Sequence, residues 1–182
     1  MRTILFALVI ATVSAAGAGA QTAPAHLRAA PATGATALEL FADSIAEPPS
    51  TGTPARRGAL YAPAYSSLFS GAGRARIDFA ITLSIHNVSA ERPLVLESVV
   101  YYDTAGRAVE TYLPRAVALK PFGTIQFFVP RDDVRGGTGA NFLVRWNSAD
   151  ARAEPPHVET VMIGVANNQS LAFVVPARPV EP

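Results

Sequence analysis

Few side chains in this 182-residue sequence are equipped for chemistry, and they are scattered. There is no cysteine, which removes thiol nucleophiles, disulfides, thiolate metal sites and a lipoprotein anchor together. The three histidines, His26, His86 and His157, share no close spacing of the kind a metal site shows. A soft copper site pairing His157 with Met162 is conceivable, but Met162 lies in an apolar run and reads as core. Asp103, Asp132, Asp133, Asp150, Glu154 and Glu159 are the acidic candidates for hydrolysis, which needs two carboxylates whose surroundings split their proton affinities. Asp132-Asp133 sits between Arg131 and Arg135, the pattern of a charged, solvated turn. No Gly-x-Ser-x-Gly elbow presents a serine, and Ser66, Ser67 and Ser84 read as strand residues. Gly136-Gly137-Thr138-Gly139 lacks the following helix whose amides would meet a phosphate, so it reads as a strand connection with glycines free to take positive φ.

Aromatic residues offer binding rather than catalysis, since they join a large contact area to a polar handle. Tyr61, Tyr65, Tyr101, Tyr102 and Trp146 are the group in view, and strand packing claims some of them for the core. The candidate binding residues are Tyr61, Tyr65, Tyr102, Asp103 and Asn141; no catalytic residue, metal ligand or cofactor is assigned. Preferring Tyr102 to Tyr101 depends on the register of residues 94–103, which are apolar in both registers. The Asn-x-Ser triplets at Asn87 and Asn168 read as turns.

Strands must position these residues. From Ile77 to His86 every odd position is large and apolar up to Ile85, and the even ones are small or polar, the mark of a strand with one buried face. Further strand patterns run from Leu94 to Asp103, Ala108 to Leu113, Thr124 to Val129, Asn141 to Trp146, Val158 to Val165 and Leu171 to Val175. No helical period interrupts them after residue 58. Residues 58–182 therefore predict an all-β antiparallel sandwich of seven or eight strands. A hairpin of 141–146 with 158–165 would set Trp146 opposite Val158 and Arg145 opposite Glu159, a cross-strand ion pair.

Ahead of the sandwich, Arg2, an apolar run from Ile4 to Val13 and the small residues Ala18-Gly19-Ala20 form a signal peptide over 1–20, cleaved before Gln21. Residues 21–57 are an Ala/Pro/Thr-rich flexible tail with a short amphipathic helix expected within 35–46; whether it docks is open. No later run is long enough to cross a membrane, so the mature chain is expected to be free of membrane spans and to work in the periplasm or outside the cell. Loss of Arg2 leaves 14 basic residues against 14 acidic, a balance that argues against a nucleic-acid partner.

Three groups of residues then resemble one family. They are Tyr61-x-Pro63-x-Tyr65-Ser66 with Thr82-Leu83-Ser84-Ile85-x-Asn87, Val99-x-Tyr101-Tyr102-Asp103-x-x-Gly106, and Gly136-Gly137-x-Gly139-Ala140-Asn141-Phe142 continuing to Trp146 and to Glu159-x-Val161-Met162-Ile163-Gly164. In order and spacing they are similar to the uncharacterised bacterial domain of unknown function 3124, across about Leu60 to Val174. The resemblance implies a small exported or envelope domain with an immunoglobulin-like sandwich and no known activity; the lipoprotein tether of some members needs a cysteine that this sequence lacks. The function expected is a non-catalytic envelope module binding a protein or polymer, with an exported hydrolase using loop carboxylates and a metal-handling protein as alternatives.

Overall fold

The computed structural model describes residues 34–181 except residue 51. The segment expected to be a signal peptide, the first part of the tail and His26 lie outside the described residues. Strand β4 (Ala75–His86) shows how the sequence builds the core: its alternation points Phe79, Ile81, Leu83 and Ile85 inward, none more than 2% exposed. It pairs on one side with β10 (His157–Ala166) and on the other with β8 (Thr124–Val129) and β3 (Ser67–Ser70). Strand β11 (Gln169–Pro176) completes this five-stranded sheet as a hairpin partner of β10. Asn167 and Asn168, both at positive φ, make the two-residue turn between them, the conformation that suits the twist of a hairpin.

The facing sheet has seven strands in the order β1 (Ile45–Ala46), β7 (Val117–Leu119), β5 (Leu94–Tyr102), β9 (Asn141–Ser148), β2 (Arg56–Pro63) and β12 (Arg178–Val180), with β6 (Ala108–Thr111) also on β5. All the pairings are antiparallel, and the two sheets close over one core, an all-β sandwich. Twelve strands stand among the described residues, more than the alternation predicts, because β1, β3, β7 and β12 are too short to leave a periodic trace.

Residues 34–46 dock on this sandwich. Helix α1 (Gly34–Leu40) buries Ala37 completely, Leu38, Phe41 and Ile45 pack against the core, and Ile45 pairs with Leu119. A two-loop knot lies close by. Asn87, 3% exposed, donates its amide to the carbonyls of Arg92, Leu119 and Lys120 and accepts from Ser89 N–H, tying residues 87–93 to the end of β7.

The expected hairpin of Arg145 with Glu159 does not form. Strand β9 lies between β5 and β2, with Arg145 opposite Ala59 and Ser98, whereas Glu159 lies opposite Ser84 in the other sheet. The connection through Pro155-Pro156 crosses between sheets, and β10 takes its hairpin partner after the Asn167-Asn168 turn instead. Trp146 meets Gly58, where an added Cβ would come within 2.9 Å of the indole Nε1, so this close approach requires glycine.

The register of β5 resolves through a bulge. Leu94 and Leu96 face the core; the ladder with β9 then slips between Leu96 and Ser98, and Val99 and Tyr101 take over the inward positions. One extra residue switches the parity, which is why the strand is apolar in both registers.

Candidate functional site

Because Tyr101 is inward and fully buried, Tyr102 is turned to the outer face of the seven-stranded sheet. Alternation in β9 buries Phe142, Val144 and Trp146 and leaves Asn141, Leu143, Arg145 and Asn147 outward. Asn141 is flanked directly by Pro63 on β2 and Tyr102 on β5; in the next row Leu143 is flanked by Tyr61 and Val100. Three of the five candidate residues, Tyr61, Asn141 and Tyr102, therefore share one face in adjoining rows. Strand spacing sets the Cα atoms of the two tyrosines roughly 10–12 Å apart. Arg178 stacks its guanidinium 5.4 Å from the Tyr61 ring centroid, and Asn147 donates to Glu97 at 2.5 Å further along. The face is aromatic and hydrogen-bonding.

The other two candidates go elsewhere. Tyr65 leaves this face and sits 6.3 Å from Phe173 at the edge of the five-stranded sheet. Asp103, 8% exposed, organises the turn after Tyr102: Oδ1 accepts the N–H groups of Ala105 and Arg107 at 2.9 Å, and Oδ2 accepts Arg107 Nε at 2.8 Å. The Arg107 bonds, first among them its backbone N–H, hold the Asp103 carboxyl below the usual carboxylate range. The cleft beside it, about 300 Å³, is lined by Thr104, Arg107, Arg135 and the Gly136-Gly137 backbone, without Tyr102, Asp132 or Asp133. Thr104 Oγ1 closes the glycine loop by donating to Gly136 O and accepting from Gly139 N–H, and a strand follows.

Asp133 is not the solvated group expected. Its side chain is 14% exposed and takes Nε and Nη2 of Arg135 at 2.9 and 2.7 Å, while the same Nη2 reaches Glu110 at 2.8 Å. Hydrogen bonds from Arg135 lower its pKa against the opposing effect of burial.

A second cluster, which sequence reasoning missed, lies on the outer face of the five-stranded sheet. His157 on β10 is the register partner of His86 on β4, and their rings are 5.9 Å apart. His157 Nε2 is 3.3 Å from Glu159 Oε2. His86 is held at Nε2 by Ser84 Oγ, 2.8 Å, and at Nδ1 by Thr124 Oγ1, 2.9 Å; Gln126 donates to Ser84 Oγ at 3.2 Å. Burial, then the neighbouring His157, lowers the His86 pKa, and Glu159 opposes them. Ser84 thus touches a histidine, but it is 3% exposed and flanked by the β8 and β10 ladders, with no free amide pair there for an oxyanion. Met162, fully buried, faces the core while His157 faces out, so they cannot share an ion. Among the described residues no group of three or more His, Cys, Asp or Glu side chains could hold a metal ion. The signal for this histidine pair was the pairing of two strands far apart in sequence, which the assumed β9–β10 hairpin hid.

Among the described residues no helix is long and apolar enough to cross a membrane. The family model described as "Protein of unknown function (DUF3124)" matches residues 57–180. No curated protein matches. A solved structure described as "Crystal Structure of Thermotoga maritima 1070" is similar at 10% identity and a TM-score of 0.43, over 68% of this chain and 95% of that one.

Proposed function

The chain belongs to the DUF3124 family of proteins of unknown function, and from the geometry above we propose that it is a non-catalytic binding module of the cell envelope whose ligand surface is the outer face of β2, β9 and β5. The observation that carries this reading is the adjacency of Tyr61, Asn141 and Tyr102 in neighbouring rows of one outward sheet face. Two outward tyrosines with an asparagine in the row of Tyr102 supply stacking area and hydrogen bonds without net charge of their own, which fits a neutral envelope polymer or a protein surface. Two of the carboxylates a hydrolase would use, Asp103 and Asp133, are engaged otherwise. Asp103 and Asp133 are both tied to arginines that hold them ionised, whereas a general acid needs its proton retained. Export through the segment 1–20 is part of the proposal and rests on its basic, apolar and small-residue succession.

Photocrosslinking in the native envelope tests the face directly. A photoreactive residue at Leu143 should give a discrete adduct that disappears with Tyr61→Ala/Tyr102→Ala, and the same probe at Val161, on the opposite sheet, should give none. Equal adducts from both positions, or adducts indifferent to the tyrosines, would reject the surface.

A further inference from the structure

Strand β11 ends the five-stranded sheet, with β10 on one side and, among the described residues, no strand on the other. Its ladder with β10 runs unbroken from Glu159 opposite Pro176 to Ala166 opposite Gln169. Just past it, Ala177 N–H donates to Val158 O at 2.8 Å in the same register. Hydrogen-bonded pairs alternate along an antiparallel ladder, so Leu171, Phe173 and Val175 bond inward to β10, while Ser170, Ala172, Val174 and Pro176 turn their backbone groups to the open side. Pro176 has no N–H, which leaves the donors of Ser170, Ala172 and Val174 placed symmetrically about Ala172.

Soluble proteins guard such an edge with charged side chains, bulges or brevity. Strand β11 is 8 residues long and carries no charged side chain. The outward face beside it is apolar: Val174 neighbours Val161, Ala172 neighbours Ile163, and Ile163, Val165 and Val174 are each about half exposed. On the core side, Leu171 is left partly uncovered at the rim of the sandwich.

We propose that a second copy of the chain occupies this edge, paired antiparallel through β11 about a two-fold axis at Ala172. In that register Ala172 faces its own copy and Ser170 faces Val174 on either side of it, so about six backbone hydrogen bonds engage every donor on both edges. Leu171 falls opposite Phe173 of the second copy and is covered by it. Two-fold pairing would set a charged β11 against its own charge; the uncharged strand escapes that repulsion, and the formal net charge of +1 for the whole chain adds little. Donors symmetric about one residue are what self-pairing requires, whereas an unrelated extended peptide has no need of the symmetry. Val161 stays one strand away from the second copy, behind Val174, and the tyrosine face lies on the other sheet, so the dimer stands or falls independently of the binding face.

Sedimentation velocity of the untagged chain over a range of concentrations tests the association. Wild type should show a monomer–dimer equilibrium. Ala172→Lys, which sets two like charges opposite each other, should raise the dissociation constant about tenfold or more, and Ala105→Lys, on an exposed turn of the other sheet, should leave it unchanged. Ala172 is exposed, so the lysine leaves the core intact. Cysteine reads the register: the chain has none of its own, so Ala172→Cys supplies one thiol per copy. Hydrogen-bonded partners stand about 5.5 Å apart at Cα, within reach of a disulfide, and mild oxidation should link this variant covalently. Ser170→Cys, whose two copies would stand more than about 13 Å apart, should stay unlinked. A wild-type chain that remains monomeric at every concentration would overturn the proposal and leave the edge to a peptide of another protein. A dimer equally stable with Ala172→Lys, or equal linking of the two cysteine variants, would overturn it as well.

Discussion

The hydroxyls of Tyr101 and Ser66 meet at 2.6 Å inside the sandwich, and both residues are fully buried. Each satisfies the other where water cannot, and burial pushes the Tyr101 pKa upward, keeping the phenol protonated. Tyr101→Phe should cost about 1–3 kcal/mol, because it strands the Ser66 hydroxyl. Ser66→Ala should cost a similar amount, and the double variant clearly less than their sum, since no orphan is left. Urea denaturation of the four proteins measures the coupling; additive losses would show that the pair does not function as one unit.

Gly136 packs against the same hydroxyl. Its φ of −70° is open to any residue, so space alone demands glycine: an added Cβ would lie 2.0 Å from Tyr101 Oη and 2.6 Å from Ala140 Cβ. Gly136→Ala should destabilise by about 1–3 kcal/mol through overpacking. Tyr101→Phe clears the nearest atom, so in that background the alanine should cost less. An unchanged cost would place the conflict at Ala140 Cβ and the ring carbon Cζ that phenylalanine keeps, each 2.6 Å away.

How much of this was legible in the sequence depended on how far apart the deciding residues lie. The inward face of β4 could be read from Ile77 to Ile85 because period two is local to one strand. The orientation of Tyr101 and Tyr102 could not, because the bulge before Ser98 exists only in the ladder with β9. For the same reason the hairpin expectation failed: Arg145 and Glu159 are close in sequence, but Pro155-Pro156 carries the chain to the other sheet. Tyr61, Asn141 and Tyr102 were found as residue types; their adjacency came from three strands that are not consecutive.

Asp103 should make the fold acid-sensitive. Its folded pKa is depressed below 3.8 by the Arg107 and Ala105 hydrogen bonds. A depressed carboxylate adds stability that is present above the unfolded pKa and is lost as pH falls through the folded one. Asp133 and Asp150 are shifted in the same direction, so the contribution of Asp103 must be read by difference. The gap in thermal midpoint between wild type and Asp103→Ala should be widest near neutrality and narrow as pH drops below about 4. A gap independent of pH would assign the role of Asp103 to shape rather than charge.

Arg145 and Glu159 should be energetically independent. Arg145 faces outward from the seven-stranded sheet and Glu159 outward from the five-stranded one, so the whole core separates them. Packed sheets stand about 10 Å apart, and the two side chains point away from each other across that thickness. A double-mutant cycle of Arg145→Ala and Glu159→Ala should close within about 0.5 kcal/mol. Asp133 and Arg135, which share hydrogen bonds of 2.7 and 2.9 Å, provide the positive control and should show measurable coupling. Coupling between Arg145 and Glu159 as large as in that control would require the two strands to be neighbours, contradicting the sheet order on which both the tyrosine face and the His86–His157 pair depend.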